Sequence, residues 1–404
     1  MDKIVIIMPT YNEAENISEM LKVLTKDIFP SIKNADMHLL VVDDNSPDGT
    51  GKIVKKYEDK HKNIHLLTGE KEGLGMAYVR GMEHAMKKLN ADAVIEMDAD
   101  FQHDPKYIAP MVNAYVEGAD YVIGSRYVKG GGIPKEWELY RKAVSYFGNL
   151  FSRAVLWMPQ LHDMTTGFRL TRVNGVLDKI NLRELMELNR FAYKIDLFFQ
   201  SVKLSKKTVE VPIHFQKRTR EKSKFSLKEM IASYKVVILL RLKASERFIK
   251  YAMVGLLGYI INAIGLEIFR QAPITTNLAG NFTHLANTSL KVLSEPSAWS
   301  GGLAAEVAII SNFIFNNFWT FSDKKVTNPF AIASKFVQFN LTSLGAVVIQ
   351  FAVVGVATLL FGDTTLVRQI SLIIAVGFLV IPYNYVVYNL LIWKTWKRGG
   401  SKRK

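Results

Sequence analysis

The chain has 404 residues, a formal net charge of +15 and no cysteine. This length accommodates two domains of ordinary size, and the missing thiols exclude disulfides, thiolate catalysis and cysteine-based metal sites. The positive charge suits nucleic acid, a membrane surface or a phosphorylated substrate. Nucleic acid is not expected as a partner, because the basic residues cluster beside apolar segments rather than on an isolated face.

The elements begin with KIVIIMP, preceded only by Met1 and Asp2. This start lacks the basic region and small-residue cleavage site of a secretory signal, so the N-terminus is expected to stay in the cytosol. Further apolar runs follow at HLLVVDD, NIHLL, AVIEMD and DYVIGS, separated by longer amphipathic stretches. The alternation predicts an α/β domain with a parallel-rich sheet between helices. Ligands of such sheets bind beyond the carboxyl ends of the strands. After the first run stand Pro9, Thr10, Tyr11, Asn12 and Glu13, and after the second Asp43, Asp44, Asn45 and Ser46. A tyrosine ring can stack on a nucleobase, and Glu13 and Asp44 can accept hydrogen bonds from base or ribose. The same residue types also serve any tight connection.

The fourth run ends in Asp98, Ala99, Asp100, Phe101 and Gln102. If the segment stays extended, alternate side chains point the same way and Asp98, Asp100 and Gln102 converge. Three oxygen donors suit Mg²⁺ or Mn²⁺ bridging a diphosphate. Asp104 with Pro105 reads as a helix start. Asp163 can orient an acceptor, cap a helix or pair with Arg169.

From Leu227 to Leu242 an amphipathic stretch is expected either to lie along a membrane surface or to pack as an ordinary helix. The boundary of the first domain falls near Lys243. Beyond it four apolar segments, about 248–269, 301–321, 337–361 and 367–393, are each long enough to span hydrocarbon. Basic residues crowd one side of these segments: Arg241, Lys243, Arg247 and Lys250, then Lys324, Lys325 and Lys335, then the tail from Lys394. The other side carries only Arg270, Lys291 and Arg368. The positive-inside rule puts the first domain and the C-terminus in the cytoplasm. Glu306, with Asn312, Asn316 and Asn317 on the same segment, is expected to face a neighbour or cavity, as a functional or a helix-bonding group. Asn281 begins a weak glycosylation sequon.

The segments MPTYNEAENI, VVDDNSPDGT, EGLGMAYVRGM, EMDADFQHDP, GSRYVKGGG and TTGFRL, in this order, resemble the inverting family 2 glycosyltransferases, and within them the dolichyl phosphate mannose synthases. The resemblance implies a GT-A fold, a Rossmann-like mixed sheet, over residues 1–226, then a linker of interfacial helices at 227–243. The spans, through SNFIFNNFWTF, resemble an all-α, four-helix GtrA-like membrane domain at 244–404. Carried over by position, the resemblance assigns Pro9, Tyr11, Glu13, Val42, Asp44 and Ala99 to the donor nucleotide, and Asp98, Asp100 and Gln102 to metal and diphosphate. Arg126, Arg141 and Ser145 fall to the acceptor phosphate, Arg126 also touching the donor. Arg218 and Lys224 fall to a basic lid over both substrates; a charge run attracted to lipid headgroups is the plainer alternative. Asp98, Asp100, Arg126 and Arg218 are the expected catalytic set. The implied reaction takes mannose from GDP-mannose to dolichyl or another polyprenyl phosphate in a plasma-membrane protein. Transfer of glucose or an aminosugar from UDP, and a lipid carrier or flippase, are the rivals.

Overall fold

The computed structural model describes residues 1–216, 227–285, 287–288, 296–361, 366–367, 370 and 374–395. The chain divides into two compact units, Met1–Lys243 and Ala244–Lys404.

In the first unit the five apolar runs form β1 (Lys3–Thr10), β2 (Asp36–Asp43), β3 (Ile64–Thr68), β4 (Ala93–Glu96) and β5 (Tyr121–Ser125). The amphipathic stretches between them form α1 (Ala14–Val23), α2 (Thr50–Glu58), α3 (Leu74–Lys87) and α4 (Ile108–Val116). They are followed by α5 (Leu139–Leu156), β6 (Arg169–Arg172), α6 (Tyr193–Leu204) and β7 (Thr208–Pro212). The sheet order is β3-β2-β1-β4-β6-β5-β7. Only β6 runs against its neighbours, β4 and β5. The sheet is therefore mixed, as the resemblance implied.

Side chains alternate across β1 and β2 and so feed two cores. Ile4, Ile6, Met8, Leu39 and Val41 pack with α1 and α4. Val5, Ile7, Leu40 and Val42 pack with Ala77, Tyr78, Val79 and Met82 of α3 and with Tyr193 and Leu197 of α6. The close approach of α3 requires Gly81, where a Cβ would collide with Ile7 and Val42. A third cluster joins Tyr121 and Ile123 to Leu156, Phe198 and four residues that follow the sheet in the chain, Ala232, Val236, Val237 and Leu240.

Those four belong to α7, which runs unbroken from Leu227 to Gln271. The expected linker is thus the first part of a long helix with one face in the core of the first unit. Ile231, Ile238, Leu239 and Leu242 remain exposed on it.

The second unit contains the rest of α7, α8 (Pro273–Gly280), α9 (Pro296–Phe315), α10 (Pro329–Phe361) and α11 (Ile381–Val387). An aromatic cluster of Tyr251, Phe313, Phe321, Phe339, Tyr388 and Trp393 fills its core. Trp393 stacks on Phe321 at 4.3 Å between ring centroids and donates from Nε1 to Asn317 Oδ1. Among the described residues no helix is long and apolar enough to cross a membrane. The segments expected as spans lie on helices: 248–269 within α7, most of 301–321 on α9 and 337–361 within α10. Around the start of the first of these segments α7 carries Arg241, Lys243, Glu246, Arg247 and Lys250. Within the fourth, α11 is flanked by π-helical turns at Ala375–Val380 and Tyr388–Ile392. Glu306 is exposed on α9, whereas Asn316 and Asn317 are buried. Asn281 is exposed, as a sequon requires.

Candidate active site

The site lies at the carboxyl ends of β1, β2, β4 and β5. The parallel register sets Pro9 beside Val42 and Thr10 beside Asp43, which brings the first two polar strand ends together. Each strand then turns through an asparagine with positive φ, Asn12 at 60° and Asn45 at 52°, a conformation asparagine tolerates better than most residues. Ser46 ties the turns together, its hydroxyl accepting from Asn12 N at 3.0 Å and donating to Asp43 Oδ1 at 2.6 Å. Glu13 N donates to Thr50 Oγ1, and Glu13 Oε2 accepts from Asn16.

Asp44 is buried and receives the Arg80 guanidinium on Oδ1. Burial raises its carboxyl above the usual range, opposed by Arg80. Tyr11 presents its ring to a cation, with Lys71 Nζ 3.4 Å from the ring centroid. Lys71 thus covers the ring that the sequence offered for stacking on a base. Nothing in the sequence spacing marked Lys71 or Arg80.

The strand β4 stops at Glu96, and residues 97–103 form a bend. The expected alternation of Asp98, Asp100 and Gln102 along an extended segment is therefore incorrect. Phe101 takes φ 60°, and Asp100 Oδ1 accepts from Gln102 N at 3.1 Å, which closes an Asx turn. Ala99 and Gln102 are buried within the bend, and the Gln102 amide donates to Gln216 O. Asp98 is anchored from below. Its Oδ1 accepts from Tyr78 OH at 2.8 Å, and its backbone N–H donates to His103 Nδ1 at 3.1 Å. Burial lowers the His103 pKa to about 4, so the ring is neutral and can accept that bond. Asp104 Oδ1 accepts from Lys106 N and Pro105 opens a helical turn, the arrangement read from the sequence.

Among the described residues no three His, Asp or Glu side chains gather to hold a metal. Two carboxylates, Asp98 and Asp100, and the Gln102 amide oxygen are what the bend offers. An all-oxygen set fits a hard cation that takes its remaining ligands from water and phosphate.

Arg126 follows β5 and is nearly buried. Its guanidinium grips a protein carboxylate: Nε and Nη2 each donate to Asp163 at 2.7 Å, and Nη2 also donates to Thr165. The Asp163 pairing expected with Arg169 is corrected by this contact. Arg169 instead donates to Lys194 O and Met164 O. Burial works to raise the Asp163 carboxyl, but the Arg126 charge and hydrogen bonds outweigh it and hold the group below the carboxylate range. With Nε and Nη2 committed, Nη1 is the edge of Arg126 left for a phosphate.

Arg141 and Ser145 sit one turn apart on α5. Arg141 covers the Trp137 ring at 3.9 Å, and Ser145 Oγ accepts from Tyr127 OH at 2.6 Å. One turn further, Tyr127, Tyr146, Leu150, Arg153 and His162 line a cavity of about 200 Å³. Leu139, Tyr140, Tyr146, Phe147, Leu150 and Trp157 leave one side of α5 apolar and exposed. Arg218 and Lys224 lie outside the described residues.

The sequence model of glycosyl transferase family 2 matches residues 5–177. An undecaprenyl-phosphate mannosyltransferase from Micrococcus luteus is 37% identical over 225 residues, 55% of this chain and 88% of that protein. The chain belongs to glycosyl transferase family 2. A polyprenol monophosphomannose synthase from Mycolicibacterium smegmatis is 35% identical over 223 residues, 55% of this chain and 80% of that protein. The match to a dolichol-phosphate mannosyltransferase from Pyrococcus furiosus runs through both units, at 28% identity over 97% of this chain and all of that protein. Residues 250–393 of this glycosyltransferase match the GtrA/DPMS transmembrane domain. The family 2 match thus falls within the first unit, which holds the polar strand ends, the bend after β4 and the Arg126–Asp163 pair.

Proposed function

We propose that this family 2 glycosyltransferase moves mannose from GDP-mannose to the phosphate of a dolichyl or other polyprenyl carrier, with inversion at the anomeric carbon. The match to a dolichol-phosphate mannosyltransferase over both units carries the reading, because the catalytic sheet and the GtrA/DPMS region recur together.

The residues divide by task. Pro9, Tyr11, Glu13, Val42, Asp44 and Ala99 bind the nucleotide, with Arg80 fixing Asp44. Asp98, Asp100 and Gln102 hold Mg²⁺ or Mn²⁺, which when bound offsets the charge of the departing diphosphate. Arg141 and Ser145 orient the acceptor phosphate, joined by Nη1 of Arg126, while Asp163 keeps that guanidinium aimed. Arg218 and Lys224 close over both substrates. No side-chain base is required: a phosphate monoester has its second pKa near ~6, so its oxygen is already ionised at neutral pH. That oxygen attacks the anomeric carbon, the bond to the diphosphate breaks, and the nucleotide diphosphate leaves with the electron pair. The chain contributes alignment and charge stabilisation.

The exposed apolar side of α5 and the Ile231, Ile238, Leu239 and Leu242 face of α7 suit a bilayer surface, where the lipid tail remains while its phosphate reaches the site. The second unit anchors the enzyme in the plasma membrane, with the first unit and the C-terminus cytoplasmic. The test is a donor screen with purified full-length protein, a short polyprenyl phosphate and Mn²⁺. GDP-mannose is expected to be used, and Asp100→Ala, Gln102→Ala or a chelator to reduce turnover at least about a hundredfold. Turnover of UDP-glucose alone, or full activity in chelator, would contradict the reading.

A further inference from the structure

Beneath Asp98 lies a cation that no assignment above uses. Lys194, near the start of α6, is fully buried, and its Nζ makes no hydrogen bond among the described residues. The nitrogen stands 3.8 Å from Asp98 Oδ1, the same oxygen that accepts from Tyr78 OH. The Tyr78 and Phe191 rings face it at 4.7 and 5.1 Å from their centroids. Gly167 leaves the space it fills, since a Cβ there would collide with the ammonium. Glu96, fully buried one strand residue before the bend, feels the charges of both Arg169 and Lys194.

A buried ammonium is costly unless carboxylates compensate it, and here the nearest is a proposed ligand of the divalent cation. The walls around Lys194 prevent it from swinging away when a second positive charge arrives. At such short range, within a poorly solvated floor, repulsion between the two cations is only weakly screened. An anionic diphosphate at the site adds the negative charge that offsets it. We infer that Lys194 is a resident counter-ion of Asp98 that weakens binding of a divalent cation on its own, and thereby couples cation binding to arrival of the donor diphosphate. Lys194 is a positioning residue in this scheme: it acts through Asp98 and touches neither substrate. The inference rests on the metal reading of Asp98, Asp100 and Gln102 given above.

The test is Mn²⁺ binding by full-length protein in detergent, followed by the paramagnetic resonance signal of free Mn²⁺, with and without GDP. The parent is expected to bind Mn²⁺ weakly alone and more tightly with GDP. Lys194→Met and Lys194→Gln, checked for melting temperatures near the parent's, should bind Mn²⁺ alone about tenfold more tightly and gain less from GDP. Adding Asp98→Asn to Lys194→Met should abolish that gain. Folded variants that bind Mn²⁺ no more tightly than the parent would overturn the inference while leaving the metal reading intact. Parent protein that binds no Mn²⁺ even with GDP would overturn the metal reading, and the inference with it. Should both Lys194 variants unfold, a parent affinity for Mn²⁺ indifferent to GDP is the overturning result.

Discussion

At the scale of single residues, the Arg126–Asp163 pair is the contact most exposed to test. Asp163→Asn removes the carboxylate that takes two guanidinium nitrogens and leaves a buried cation without compensation. Breaking such a pair costs about 3–5 kcal/mol, readable as a lowered urea midpoint. Replacing both partners, as Asp163→Asn with Arg126→Met, should restore most of that loss, whereas single and double variants as stable as the parent would contradict the buried pair. Because the folded Asp163 carboxyl is held below the unfolded value near ~3.9, its contribution is present above that pH and disappears only as pH falls through the lower folded value. Val42, inside β2, came only with the resemblance, but the polar residues just past β1 and β2, Tyr11, Glu13 and Asp44, were legible because locating those strands located them. Their partners were not. Arg80 and Lys194 reach the site from α3 and α6, and only the packing of those helices on the sheet reveals which carboxylates they face.

At the scale of elements, β1 to β5 were legible as apolar runs. By contrast, β6 and β7, RLTR and TVEVP, are short and half polar, and β6 buries an arginine, so neither carried a strand signature. The bend after β4 shows the opposite failure: the alternation assigned to Asp98, Asp100 and Gln102 requires a strand that runs six residues past the end of β4, to Gln102. Pairing of β2 with β3 leaves His65 half-buried, with its Nε2 facing His38 Nδ1 at 3.0 Å. Burial and the neighbouring His38 hold the His65 pKa below the ordinary histidine value, with Asp36, Glu58, His84 and Lys3 as the other charged neighbours. The unfolded chain therefore takes up a proton as pH drops through ~6.5 before the folded chain does, and stability falls below that pH. His65→Gln should flatten the decline in melting temperature between pH 7 and 5.5; an unchanged slope would contradict this.

The long helix α7 supplies a second test at this scale. A protein ending after Lys243 retains Ala232, Val236, Val237 and Leu240 in the core, so it should bind GDP as the full chain does. One ending at residue 226 loses their burial, about 6 kcal/mol, and should fold poorly. If both truncations bind GDP equally and melt together, the start of α7 is not part of the first unit.

For the whole molecule, two units with different duties share one chain: a mixed sheet whose strand ends gather charge, and a helical unit whose core is aromatic. The first was legible as alternating strands and helices with polar residues gathered at the carboxyl edge of the sheet. The second was legible as apolar length, but length does not dictate where a helix stays regular, and the π-helical turns around α11 depend on how Tyr388, Ile392 and Trp393 pack. The central claim is that the acceptor is a lipid phosphate and the group transferred is mannose. It is tested most directly by incubating purified full-length protein with GDP-mannose labelled in the sugar, a divalent cation, and either polyprenyl phosphate or the corresponding free polyprenol, then counting label extracted into organic solvent. Label should enter that phase with polyprenyl phosphate alone; equal transfer to the free alcohol, or none to the phosphate, would contradict the account.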